Sequence, residues 1–283
     1  YHDGENGIDR GHVRIYSWDT MGGWTQLGDD IDGESAYDSS GYSVSLSSDG
    51  TTVAIGAPFH DGNNDSFASG HVRIYSWNSA TGAWEQLGDD IDGESADDSA
   101  DDNSGYSVSL SPDGTTVAIG APYNYGENGI NSGHVRIYSW NSATSAWEQL
   151  GNDIDGESAD DQSGRSVSLS SDGTTVAIGA RYNDSFASGH VRIYSWDTMG
   201  GWTQLGDDID GESADDSSGG SVSLSSDGTT VAIGAPYNDG DNGINSGHVR
   251  IYSLDTMDGW VQLGNDIDGE SAGDQSGRSV SLS

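Results

Sequence analysis

Five times along the chain an Asp-Ile-Asp-Gly-Glu core sets carboxylates at alternating positions, starting at Asp30, Asp90, Asp153, Asp208 and Asp266, and a further Asp follows each. The candidate ligands are Asp30, Asp32, Glu34 and Asp38 in the first copy, and Asp90, Asp92, Glu94 and Asp98 in the second. Asp153, Asp155, Glu157 and Asp161 follow in the third, Asp208, Asp210, Glu212 and Asp216 in the fourth, and Asp266, Asp268, Glu270 and Asp274 in the fifth. Oxygen donors spaced around a glycine turn suit Ca²⁺, which takes six to eight of them in a flexible cage. The spacing is not that of an EF-hand. The plainer reading is a solvated acidic loop whose Asp side chains cap turns. Asn238-Asp-Gly-Asp-Asn242 is a weaker candidate, because the shorter repeats lack it and its Asn, Asp and Gly residues already account for a turn.

Two other polar residues recur, within the stretch Gly-His-Val-Arg-Ile-Tyr that opens at Gly11, Gly70, Gly133, Gly189 and Gly247. His12, His71, His134, His190 and His248 have no partner His or Cys at ligand spacing, so a structural role is expected of them. Arg14, Arg73, Arg136, Arg192 and Arg250 stand two positions before a Tyr on the same strand face, which predicts carboxylate pairing or stacking on aromatic rings. Serine is abundant, yet no Gly-x-Ser-x-Gly elbow lies between a strand and a helix, and no Ser, His and Asp form a set that occurs once only. Catalysis generally uses one asymmetric site. Near-identity repeated five times points instead to a non-enzymatic protein offering the same surface many times, where avidity multiplies weak contacts.

The elements that carry these residues follow from hydrophobic periodicity. His12 to Trp18 alternates like a strand, Asp19 to Gly23 turns, and Trp24 to Leu27 returns as a hairpin partner. The acidic segment from Gly28 to Asp38 reads as a long surface connection without a strand. Tyr42, Val44 and Leu46 then alternate with serines, Ser48-Asp-Gly50 makes a tight turn, and Thr52 to Gly56 forms a more buried strand. Each repeat thus supplies four antiparallel strands and no helix. The spacings between successive Gly-His-Val motifs are 59, 63, 56 and 58 residues, with an extra Asp-rich piece at Ala100 to Asn103 in the longest.

These features predict a single all-β repeat domain over residues 1–283, a β-propeller of five four-stranded blades of about 58 residues each. Its units run approximately 1–28 (partial), 29–88, 89–151, 152–206, 207–264 and 265–283 (partial). The closing blade is incomplete: Val-Ala-Ile-Gly-Ala occurs only at Val53, Val117, Val176 and Val231, and a stretch equivalent to Ser226–Pro236 is missing. Ser279 to Leu282 would serve as the first strand of the shared blade; the favoured expectation is an excerpt of a longer repeat protein, the alternatives being residues absent at an end or a strand donated by a neighbouring molecule to build a filament.

Composition narrows the partners. Forty-seven acidic residues against nine Arg and no Lys give a net charge of −38, which excludes nucleic acid and anionic membrane surfaces and favours cations. No apolar run approaches the length of a membrane span, so no membrane insertion is expected. The acidic excess points to an extracellular or cell-surface setting, where salt or calcium relieves self-repulsion. Asn64-Asp-Ser66 and Asn183-Asp-Ser185 are glycosylation sequons.

Ser40-Gly-Tyr-Ser-Val-Ser-Leu46, Val53-Ala-Ile-Gly-Ala-Pro58 and Gly70-His-Val-Arg-Ile-Tyr75, taken together, resemble the FG-GAP repeat of integrin α-chain propellers. Gly-Ala-Pro is complete at Gly56, Gly120 and Gly234, and Arg181 replaces its proline in the remaining copy. The resemblance implies a propeller used in extracellular adhesion, with calcium held in a loop between the first two strands of a blade. That position here holds only Ser47 to Thr51, Ser111 to Thr115 and their equivalents, too short to wrap the ion. The expected function is an adhesive or structural module of a surface, matrix or filament assembly, calcium-stabilised, with other protein copies or surface proteins as partners. A glycan-binding propeller using exposed Trp and Tyr is the alternative, and a propeller hydrolase or lyase the third reading.

Overall fold

The computed structural model describes residues 9–60, 68–94, 101–126, 128–182, 187–240 and 242–283; the sequons at Asn64 and Asn183 and the candidate ligand Asp98 lie outside them. Every element in the described residues is a strand, and the expected repeat is present. Each sheet, with the rest of the acidic segment that follows its last strand, is one structural unit, offset from the sequence repeats; the first, incomplete, supplies β1 (His12–Val13), β2 (Tyr16–Asp19), β3 (Gly23–Gln26) and β4 (Ile31–Asp32). The first complete sheet comprises β5 (Ser43–Leu46), β6 (Thr52–Ala57), β7 (His71–Asn78), β8 (Ala83–Gln86) and β9 (Ile91–Asp92). The second comprises β10 (Ser107–Leu110), β11 (Thr116–Ala121), β12 (His134–Asn141), β13 (Ala146–Gln149) and β14 (Ile154–Asp155). The third comprises β15 (Ser163–Leu169), β16 (Thr175–Ala180), β17 (His190–Asp197), β18 (Gly201–Gln204) and β19 (Ile209–Asp210). The fourth comprises β20 (Ser221–Leu224), β21 (Thr230–Ala235), β22 (His248–Asp255), β23 (Gly259–Gln262) and β24 (Ile267–Asp268).

Each complete sheet is an antiparallel meander in the order β5-β6-β7-β8, and its long third strand also carries a fifth, two-residue strand from the acidic segment. That corrects the reading of the segment as a connection without a strand. His71 opposes Asp92 and Val72 opposes Ile91, and the pairing recurs at β12/β14, β17/β19 and β22/β24. One apolar residue anchors it: Ile91, Ile154 and Ile209 are buried, while the flanking aspartates point the other way, as strand alternation requires.

The core lies between successive sheets. Ala54, Val72, Ile74 and Ile91 of one sheet pack against Leu110, Val117 and Ile119 of the next, and the two following junctions repeat this. Burying one such isoleucine contributes about 1.5–3 kcal/mol. The serines of Ser-Val-Ser-Leu are struts across the same junctions. Ser43 Oγ donates to Gly105 O at 2.7 Å and Leu110 N donates to Ser45 Oγ at 2.9 Å, with copies at the later junctions. Gly-Ala-Pro owes its glycine to the same contact: a Cβ on Gly56 would overlap the Gly105 carbonyl, and Gly120, Gly179 and Gly234 meet Gly164, Gly219 and Gly277 in the same way.

At the two ends of the row the faces are uncovered. Leu46 is 47% exposed where Leu110 is 6%, and Ile267 is 54% exposed where Ile91 is 6%. His12 to Trp18 splits into β1 and β2, which pair separately with β4 and β3, because no Val-Ala-Ile-Gly-Ala strand flanks them. Ser279 to Leu282 forms no strand for the same reason, although Leu282 N donates to Ser223 Oγ at 2.9 Å, the bond that seats each inner strand on its neighbour.

Candidate metal centres at the sheet junctions

The histidine that opens each long strand sits at the foot of a junction. His71, His134, His190 and His248 are at most 1% exposed. Both ring nitrogens of His71, and Nε2 of His134, His190 and His248, are buried without a hydrogen-bond partner. Burial, reinforced by the neighbouring charges of His60 and Arg73, pushes His71 down to about 4; burial and the adjacent arginine do the same to His134 and His190. These imidazoles are neutral at neutral pH, with a lone pair to offer.

Carboxylates from two different units converge on each ring. Glu94, His134 and Asp153 each offer a ligand atom within 4.8 Å of the others, as do Glu157, His190 and Asp208, and Glu212, His248 and Asp266. Around His71 two groups share that ring, Glu34, His60, His71 and His71, Asp90, Asp92, so at the first junction His60 takes the place beside Glu34 that an Asp holds at the others. The Glu comes from the acidic segment of one unit, and the His and Asp from the next. His248 Nδ1 stands 3.7 Å from Asp266 Oδ2.

The four candidate carboxylates of one segment are therefore divided among tasks. The first, Asp90, Asp153, Asp208 or Asp266, faces the histidine of its own unit, and the third, Glu34, Glu94, Glu157 or Glu212, faces the histidine of the next. In the first unit Asp30 instead accepts from Arg14 Nε at 2.9 Å, which holds its carboxyl down at about 2. The main-chain oxygens of Asp32, Asp92, Asp155 and Asp210 accept from Arg73, Arg136, Arg192 and Arg250 of the following unit. Asp38, Asp161 and Asp216 are buried and close their own loop: Ser35 N donates to Asp38 at 2.6 Å, Ser158 N to Asp161 at 2.8 Å and Ser213 N to Asp216 at 2.8 Å. In the longest repeat that place is taken by Asp102, which accepts from Glu94 N at 2.9 Å and which burial pushes up to about 7; the extra residues shift it away from Asp98. In the last unit Asp274 accepts from Ser271 N at 2.8 Å, and Asp268 pairs in β24 opposite His248; Glu270 belongs to none of the converging groups among the described residues.

The arginines do as their spacing predicts. Arg73, Arg192 and Arg250 lie 3.6 Å from Glu34, Glu157 and Glu212, and each sits 5.6 Å over its own Tyr ring. Farther out, the indole Nε1 of Trp84, Trp147, Trp202 and Trp260 donates to the carbonyl of Leu27, Leu87, Leu150 and Leu205 of the preceding unit, at 2.7–2.8 Å. Beside this contact lie open grooves. One of about 480 Å³ is lined by Asp153, Asp155, Tyr194 and Trp202, and one of about 420 Å³ by Asp208, Asp210, Tyr252 and Trp260.

Fold and junctions together define an all-β repeat protein of the β-propeller type. Residues 94–138 match the FG-GAP repeat. No curated protein matches the chain in sequence. Among solved structures it is similar to the periplasmic gluconolactonase PpgL of Pseudomonas aeruginosa, at 15% identity and TM-score 0.57 over 93% of this chain and 66% of that one. A 6-phosphogluconolactonase-like protein of Bacteroides fragilis gives 12% identity and TM-score 0.58 over 92% of this chain and 65% of that one. Hydrazine synthase of Kuenenia stuttgartiensis gives 14% identity and TM-score 0.53 over 91% and 68%. The chain thus spans about two thirds of the length of these structures, and at such identities the likeness shows the lactonase-type propeller fold alone.

Proposed function

We propose that the chain is a non-enzymatic adhesive or structural module of an extracellular surface, matrix or filament, with other copies or surface proteins as its partners. The observation that carries this reading is equivalence. The same buried His, the same crossing Glu and the same Trp-lined rim recur at each junction. The serines of the repeated Ser-Val-Ser-Leu strand are engaged as struts between sheets. Repeated surfaces bind by avidity, whereas turnover draws on one site built once. Calcium belongs to this reading as the ion that rigidifies the all-oxygen parts of the acidic segments and relieves repulsion at net −38. Beads coated with the chain are expected to cluster in millimolar calcium and to disperse in EDTA. Dispersed beads in both, with steady hydrolysis of a sugar lactone by the soluble chain, would overturn the proposal.

The grooves favour a second reading, a glycan-binding propeller, because an indole and a phenol beside carboxylates suit the apolar face and the hydroxyls of a sugar. Binding on a glycan array that quenches Trp202 fluorescence would select it.

A further inference from the structure

We propose that each sheet junction binds a borderline divalent transition ion of the Zn²⁺ class, held by the Glu of one unit and, from the next, a His and an Asp at three junctions and two His at the first, so that the metal ties neighbouring sheets together. The sites are Glu94/His134/Asp153, Glu157/His190/Asp208 and Glu212/His248/Asp266, with Glu34/His60/His71 at the first junction.

Three observations lead there. Donor atoms already within 4.8 Å of one another need only a small closure to reach the separation of about 3.4 Å that a tetrahedral ion with bonds of about 2.1 Å requires. The Glu is the member free to move: it is exposed, while the His is fixed in its strand. Second, His71 is buried with neither ring nitrogen bonded, an unfavourable state for a buried polar group that ligation through one nitrogen relieves. Third, the donor set is one imidazole nitrogen with two carboxylates, or two imidazoles with one carboxylate at the first junction. Calcium takes oxygen throughout, whereas imidazole with carboxylate suits zinc and its neighbours and leaves a fourth position for water.

The arginines bear on affinity. At 3.6 Å from the carboxylate, Arg73, Arg192 and Arg250 are beyond hydrogen-bond reach of the Glu oxygens, so lone pairs remain for an ion, but their charge opposes it. No such ion pair reaches Glu94 among the described residues, so Glu94/His134/Asp153 is the tightest site. The inference rests on the cation-stabilised part of the proposed function and not on its adhesive part.

The test is a titration of the intact, chelator-stripped chain with ZnCl₂ and, separately, CaCl₂ by calorimetry, with Co²⁺ absorption as a reporter of nitrogen and oxygen ligation. About four equivalents of zinc are expected, one per junction, with cobalt bands in the visible and with calcium far weaker at these sites. Asp153→Asn and Glu94→Gln alter half-buried and exposed loop positions. Each is expected to remove the tightest equivalent, by more than the roughly 10–100-fold that loss of an outer-shell partner costs. His134→Gln should do the same if its circular dichroism stays native; the two carboxylate variants carry the test if it does not. No zinc or cobalt bound by the folded chain, or zinc binding unchanged in both carboxylate variants, would overturn the assignment. A chain that clusters beads without binding zinc sinks this inference alone. One that binds four zinc ions and never clusters sinks the adhesive reading alone.

Discussion

Gly179 stands where the third sheet meets the fourth, and a methyl group placed there would fall on the Gly219 carbonyl oxygen. That oxygen also accepts the Ser166 hydroxyl at 2.9 Å, so Gly179→Ala must push the sheets apart or break the strut. Overpacking a tight contact costs about 1–3 kcal/mol, and losing a neutral hydrogen bond about 1 kcal/mol more. The expected loss is about 2–4 kcal/mol, which for a chain of this size lowers the melting temperature by roughly 4–10 °C. Thermal unfolding followed by circular dichroism reads it, with Gly23→Ala as control: nothing lies within 4 Å of that Cβ, and the change should stay within about 0.5 kcal/mol. If Gly179→Ala melts together with the control, the close approach of glycine to glycine is not what sets the spacing of the sheets.

Trp147→Phe removes the indole bond to the Leu87 carbonyl, 2.8 Å long, and is expected to cost about 1 kcal/mol in urea unfolding; no change would mean that water replaces the bond freely. In chelator-stripped protein, the buried histidines titrate near 4 in the folded state against 6.5 in the unfolded chain, so the folded state binds fewer protons. Their contribution is complete above pH 6.5 and is lost as pH falls toward 4, about 3 kcal/mol for each of His71, His134 and His190. Asp102, raised to about 7, acts in the opposite sense and offsets roughly one of them. Urea midpoints that are flat between pH 6.5 and 4, or a slope unchanged in His134→Gln, would contradict this. Calcium at millimolar concentration is expected to raise the melting temperature over EDTA at equal ionic strength, by mass action on the folded state; equal temperatures would remove calcium from the account.

The repeat, the strand order and the inward residues were legible because hairpin turns and apolar alternation are local signals. Ile91 and its copies were not readable as strand residues, since one apolar side chain between two aspartates shows no periodicity. The serine struts join residues such as Ser45 and Leu110, 65 apart in sequence, and no local pattern announces them. The junction sites were half visible. The Glu, the Asp and the His each recur once per repeat, but Glu94 and His134 stand on successive sheets, and only the stacking of those sheets brings them together. Inspecting the carboxylates within one segment, and the histidines within one strand, separates the two halves of each site. The signal that could have joined them is the shared period itself.

Multivalent binding by equivalent junctions is tested most directly by density dependence. The chain is passed in calcium over surfaces carrying increasing densities of the same chain, and retention is measured by surface plasmon resonance. Multivalent engagement predicts an apparent affinity that climbs steeply with density, on the order of 10²–10⁴-fold. An affinity that stays constant across densities, or no retention at any density, would contradict it.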